Sequence, residues 1–249
     1  EFDGIFHGFH GEASITPWDF DAESTTIRLR KKFFTVPVEM HRELEVAGDV
    51  LTITETICLT GMESIRIMWT HHPTFGADLL HGDFVIGSGA RNVTVDDTYD
   101  LATNPLKVGA KGKWPIVPGK RGQYDLSRPT GAVAAMAYLL NFESPWVSIC
   151  QLDDTVGAAL SWDPGIFPCA WLWYELGGSS EPPWYGRARL LGVEPSTSWP
   201  GTGLADISRR GGQLLTLMPG DEVTAVLRLH VFKPNGSVRG VDANGRAII

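Results

Sequence analysis

The sequence predicts an all-β protein, and three observations carry that prediction. Apolar and polar residues alternate with a period of two over most of the chain, the pattern of strands with one face buried. Turn signals such as Gly48-Asp49 and Asp153-Asp154 fall between the alternating runs, as in antiparallel hairpins. Sustained helical periodicity is absent. Only the apolar run Ala132 to Phe142 has a composition that also suits a helix, and Gly131 before it and the Pro-Trp pair after it fit a buried strand.

Bulk composition narrows the class further. A chain of 249 residues, 43% hydrophobic with nine Trp and eleven Phe, can build one large core, and no linker divides it. A formal net charge of −8 argues against a nucleic-acid or anionic-membrane partner. The one basic run, Arg28 to Lys32, alternates and reads as a solvated strand face. Cys58, Cys150 and Cys169 are scattered and lack CxxC spacing, so a disulfide framework or structural zinc site is not expected, and a reducing, cytoplasmic setting is. No apolar run reaches the length of a membrane-spanning helix. The start, Glu1-Phe2-Asp3-Gly4, has no signal-peptide character and no Met, which raises the expectation of processing or of an upstream segment.

Taken in order, the first twenty residues read as a glycine-broken loop holding His7, His10 and Trp18. Thr25 to Thr35 alternates as a strand, and Val36 to Val46 and Val50 to Leu59 flank Gly48-Asp49 as a hairpin. Glu63 to Trp69 is the next strand, followed by short ones at Gly82 to Gly87 and Asn92 to Val95. Residues 100 to 130 have loop composition, and so long a loop is expected to cover a site. Trp146 to Leu152 and Val156 to Trp162 pair across Asp153-Asp154, and a turn follows at Asp163-Pro164-Gly165. Ala170 to Leu176 is a strand dense in aromatics, and Arg187 to Val193 delivers Glu194 at its end beside Pro195. Gly212 to Leu217 and Val223 to Phe232 are expected to form the closing hairpin about Pro219-Gly220.

Chemistry is expected at strand ends. His71 and His72 stand where Pro73 ends regular pairing, and an imidazole can accept or donate a proton near neutral pH. A His paired with a Glu makes an acid/base couple suited to a hydroxyl and an ether oxygen, which draws His10, His71, His72 and Glu194 together as candidates. A metal site is the rival use of His7, His10, His71, His72, His81 and Glu194, although no His-x-His strand pair or His-Glu-x-x-His helix is present. Tryptophan faces can carry sugar rings, which makes Trp69 and Trp173 candidates for substrate contact. Nucleophile-elbow, phosphate-loop and dinucleotide fingerprints are missing.

Four ordered pieces resemble the aldose 1-epimerase (galactose mutarotase-like) family. His72-Pro73-Thr74-Phe75-Gly76 is similar to its histidine motif, and His10-Gly11 before Pro17-Trp18 to its upstream His-Gly segment. Leu191 to Thr197 resembles the segment carrying its glutamate, and Leu217 to Glu222 followed by Leu227 to Phe232 its closing Pro-Gly hairpin. The resemblance implies a single-domain β-supersandwich over residues 1–249, short of the N-terminal strands the family has; either those strands belong to an upstream segment, or a partner subunit, as in a homodimer, covers the bare edges. It implies a cofactor-free mutarotase in which Glu194 takes the anomeric proton and His72 protonates the ring oxygen. His10 would hold the sugar, Asp163 is the candidate for a hydroxyl contact, and His71 would play an orienting part. Family members acting on hexose phosphates are expected to carry an arginine soon after the His-Gly, where this chain has Glu12, which favours a neutral or an unusual sugar, while Arg187 and Arg189 keep phosphate or an acidic sugar open. The other functional classes are a silent sugar-binding module and a metal-dependent isomerase or lyase on a cupin-like barrel.

Overall fold

The computed structural model describes residues 1–249. The first twenty residues are more ordered than a loop, holding one helical turn, α1 (Glu12–Ile15), and the start of β1 (Asp19–Ala22). Then come β2 (Thr26–Lys32), β3 (Val38–Ala47) and β4 (Val50–Leu59), the last two forming the expected hairpin in register Ala47 to Val50. The basic run lies on β2, but Lys31 is buried and its Nζ donates to the Pro17 carbonyl at 2.8 Å, so this face is not wholly solvated.

After β5 (Ile65–Ile67) and the two-residue β6 (Thr74–Phe75) comes a second helical turn, α2 (Ala77–Leu80). The two short strands expected next are one continuous strand, β7 (Phe84–Val95). Its glycines do not break it, because they make room. A side chain on Gly89 would run into the Ser144 carbonyl, and one on Gly87 would come within 3.1 Å of the Trp146 ring. The loop expected at 100 to 130 carries three short strands, β8 (Lys111–Lys113), β9 (Ile116–Pro118) and β10 (Gln123–Asp125), laid against the edge of β7.

The strand predicted from Ala132 to Phe142 and the one from Trp146 are also a single element, β11 (Val133–Gln151). Its register against β7 shifts between Phe142 and Val147, where Pro145 and a bulge bend it without ending it. The first half of β11 pairs with β13 (Cys169–Leu176), and its second half with β12 (Gly157–Trp162) in the predicted hairpin. One bent strand thus joins two sheet layers. Beside β13 lies β14 (Arg189–Ser196), and after α3 (Leu204–Arg209) come β15 (Leu215–Leu217) and β16 (Glu222–Phe232). The turn at Pro219-Gly220 forms, but β15 and β16 are not a hairpin: β15 pairs with β5, while β16 lies between β4 and β12 with both edges taken. A last small pair, β17 (Gly240–Val241) and β18 (Ala247–Ile248), ends the chain.

The named strand pairs are antiparallel, and the core lies between the two layers, filled by residues such as Ile57, Ile86, Leu139, Leu172, Leu191 and Leu227. On β13 and β14 the inward residues are Leu172, Tyr174, Leu191 and Val193. Alternation therefore turns Trp171, Trp173, Gly192 and Glu194 to the outer face of that layer. No helix is long and apolar enough to cross a membrane.

Candidate active site

His72 and Glu194 do not stand at strand ends. Beyond β5 the chain runs extended along the free edge of β14: Thr70 bridges to Ser196, Thr74 pairs with Gly192 and Phe75 with Leu191. In between, the His71 amide donates to the Pro195 carbonyl and the Val193 amide to the Pro73 carbonyl, both at 3.0 Å. Pro195 and Pro73 each accept one bond in these two pairs, and the reciprocal bond of each pair is missing because proline has no N–H, so this edge is held by half its usual bonds at the two positions. Register alone then sets His72 opposite Glu194, and opposite residues of an antiparallel pair project to the same face. His72 Nδ1 lies 3.5 Å from Glu194 Oε1.

Gly192 makes room for that contact. A Cβ at this position would lie 2.8 Å from Glu194 Oε1 and 3.3 Å from the Trp173 ring, so only glycine leaves the carboxyl its place. Around the pair stand aromatic rings. His10 stacks on His72 with centroids 5.3 Å apart and planes at 20°, and Trp173 meets His72 edge-on at 5.9 Å. Trp184 packs 5.5 Å from Trp173, whose Nε1 donates to the Tyr99 hydroxyl at 3.4 Å.

His10 reaches the pair from a loop in which it takes a φ of 59°, the left-handed region that non-glycine residues seldom occupy. Anchors hold the loop there. The Ser14 hydroxyl donates to the His10 carbonyl at 3.3 Å, and Trp18 Nε1 donates to the Ala13 carbonyl at 2.9 Å. The Glu12 carboxylate accepts the Phe34 and Thr35 amides, both at 2.9 Å. Glu12 is thereby a loop anchor, with its carboxylate committed to residues 34 and 35.

Burial sets the electrostatics. Glu194 is 5% exposed and its carboxyl has no partner beyond the His72 nitrogen, so desolvation pushes its pKa up to about 8. Burial, with the neighbouring His10 imidazole, holds His72 below the ordinary histidine value, and burial alone lowers His10. At neutral pH the free site therefore favours a protonated carboxyl beside neutral imidazoles.

His71 points the other way. Its Nε2 lies 3.1 Å from Glu55, off the axis of a good hydrogen bond, and Glu55 in turn pairs with Arg42 at 3.1 Å. Burial favours the neutral acid of Glu55, but His71 and Arg42 outweigh it and keep the pKa low. Arg42 lies over the Trp18 ring at 5.0 Å, which ties this buried charge chain to the loop bearing His10. Trp69 is buried in the core, packed on Phe167 and His71, rather than beside Trp173. Asp163 is linked by no hydrogen bond or ion pair to His72 or Glu194; its Oδ1 accepts the Gly165 amide at 2.8 Å within its own turn. The structure thus brings together His10, His72, Trp173 and Glu194, and leaves His71, Trp69 and Asp163 outside that group.

Three contributors were not singled out from the sequence. Gly192 carried a signal, a glycine inside an apolar strand two residues before the glutamate. Tyr99 and Trp184 carried none, since both come from loops whose path the sequence does not give. No group of three or more His, Cys, Asp or Glu side chains is placed to hold a metal ion, and His81 is bonded to the Asp78 carbonyl.

A provisionally named aldose 1-epimerase from Escherichia coli K12 superposes with a TM-score of 0.67 at 16% identity, covering 94% of this chain and 75% of that one. One from Klebsiella pneumoniae gives 0.66 at 16%, covering 92% and 58%, and an aldose epimerase homologue from C. elegans 0.58 at 12%, covering 88% and 69%. No family model matches the sequence, and no curated protein matches it. The chain has the β-sandwich fold of galactose mutarotase-like proteins; at such identities the likeness is one of fold.

Proposed function

We propose that the protein is a mutarotase that interconverts the α and β anomers of an aldose by acid/base ring opening and closure at His72 and Glu194. The observation that carries this reading is the juxtaposition itself: a titratable pair 3.5 Å apart, opening onto a face walled by His10, Trp173 and Trp184. A sugar ring seated on the indoles would lay its C–H face on an apolar surface and turn its oxygens to the pair.

Ring opening needs a base at the anomeric hydroxyl and an acid at the ring oxygen. The Glu194 carboxylate takes the O1 proton, the O1 electrons form the carbonyl, the C1–O5 bond breaks, and O5 takes a proton from the His72 imidazolium. Rotation about C1–C2 and the reverse transfers close the other anomer. Burial favours the tautomer with Glu194 protonated and His72 neutral. Reaching the ionic form needs only one proton passed from Glu194 to His72, with no change in net charge. Opening the ring regenerates the neutral pair, so the tautomer preferred by burial is the one present with the open-chain aldehyde. The test is mutarotation of a freshly dissolved pure anomer, followed by polarimetry. Acceleration that is lost in Glu194→Gln and in His72→Asn is expected; unchanged acceleration in both variants overturns the proposal.

A further inference from the structure

The molecule carries net negative charge, and eight of its fourteen arginines have a carboxylate partner within 4.0 Å. Three that do not, Arg128, Arg187 and Arg189, line one cavity of about 710 Å³. Against these three positive charges the same lining contributes one carboxylate, Asp83. Much of the remaining wall is glycine backbone, including Gly177 and Gly186, which lets a ligand approach the chain closely.

One of the three arginines is already fixed by hydrogen bonds. Arg189 donates to the Leu80 carbonyl through NH2 at 2.9 Å and through Nε at 3.3 Å, which fixes the guanidinium. Arg187 lies against the Tyr185 ring at 5.6 Å. Three like charges around a cavity with a single carboxylate among them repel one another, and an anion that accepts from several guanidinium groups relieves that repulsion while making charge-assisted hydrogen bonds. The volume falls in the range of small-molecule sites and exceeds what a bare ion needs.

This cavity is separate from the His72–Glu194 pair. Along β14, Arg189 and Glu194 are an odd number of residues apart, so their side chains leave opposite faces of the sheet. We propose that the cavity is a binding site for a small molecule bearing a phosphoryl group, recognised by Arg128, Arg187 and Arg189.

The test is a titration of the whole chain with inorganic phosphate, read by calorimetry at ionic strength held constant with chloride. Saturable binding is expected in roughly the millimolar range, weakened about tenfold in Arg128→Gln and in Arg187→Gln. Both side chains are exposed, so their replacement leaves the core intact, and Arg121→Gln, an exposed arginine outside the cavity, is the control that should change nothing. A phosphomonoester binding at least as tightly as inorganic phosphate is the expected second result. Heat indistinguishable from the chloride blank, or binding that survives the Arg128→Gln/Arg187→Gln double variant, overturns the proposal. No sugar turnover enters the readout, so its failure leaves the mutarotase reading untouched, and the converse holds.

Discussion

Replacing Glu194 by Gln should abolish activity and stabilise the protein, and the gain should grow with pH. The carboxyl is buried with His72 as its only neighbour of opposite character, and its pKa rises from 4.5 to about 8 in the fold. A group whose folded pKa is raised contributes stability that is whole below its unfolded pKa and lost as pH climbs through the folded one. Each unit of that climb is worth about 1.4 kcal/mol, so the cost of Glu194 is below about 1 kcal/mol at pH 5, about 3 kcal/mol at pH 7 and about 5 kcal/mol above pH 8. Glutamine keeps the shape, stays neutral throughout and can still bond the imidazole. Urea unfolding of both proteins at pH 5, 7 and 9 measures the difference directly. A gap that stays constant across the three, or a variant less stable at pH 9, would refute the reasoning that burial raises this pKa.

Other outcomes follow from the same geometry. The mutarotation rate should be bell-shaped, with its acid limb below pH 6.5, where His72 and Glu194 both hold protons, and its alkaline limb near pH 8, where the pair loses its last one; a rate profile flat from pH 5 to 9 would contradict this. Gly192→Ala puts a methyl group 2.8 Å from Glu194 Oε1, so turnover should fall by about 10² or more while the circular dichroism spectrum is kept; full activity would show that the carboxyl has freedom to move. Glu55→Gln removes the buried partner of Arg42 and should cost about 3–5 kcal/mol in urea unfolding, because the guanidinium loses its counter-charge; a loss under 1 kcal/mol would mean that water already screens the pair.

How much of this could be read from the sequence depended on whether a feature was local. The hairpins about Gly48-Asp49 and Asp153-Asp154 were legible because alternation and turn chemistry meet within a few residues. Two long strands were read as four, since Gly87 and Gly89 in β7 and Pro145 in β11 look like terminators. Together they form one local bend, in which glycines on one strand receive the bulge of the other. Pro195 misled in the same way: it reads as the end of a strand, yet the strand tolerates it at the edge, where its carbonyl accepts the His71 amide and one ladder bond is forgone. His72, His10 and Glu194 were raised as candidates by residue chemistry and given roles by motif resemblance, whereas their meeting depends on the pairing of residues 70–75 with β14, a long-range register the sequence does not state. Trp69 lies on the predicted alternating face, but that face is packed by Phe167 and has no free side to offer a ligand.

The central claim is that His72 and Glu194 form one proton-transfer unit acting on a sugar's anomeric centre. Exchange between the two anomeric proton resonances of an aldose at equilibrium, measured by NMR with the unmutated chain, Glu194→Gln and His72→Asn, tests it most directly. Enzyme-dependent exchange that disappears in both variants, while their folded spectra persist, is the predicted result. Exchange no faster than in buffer across a panel of neutral aldoses, or equally fast in all three proteins, would contradict it.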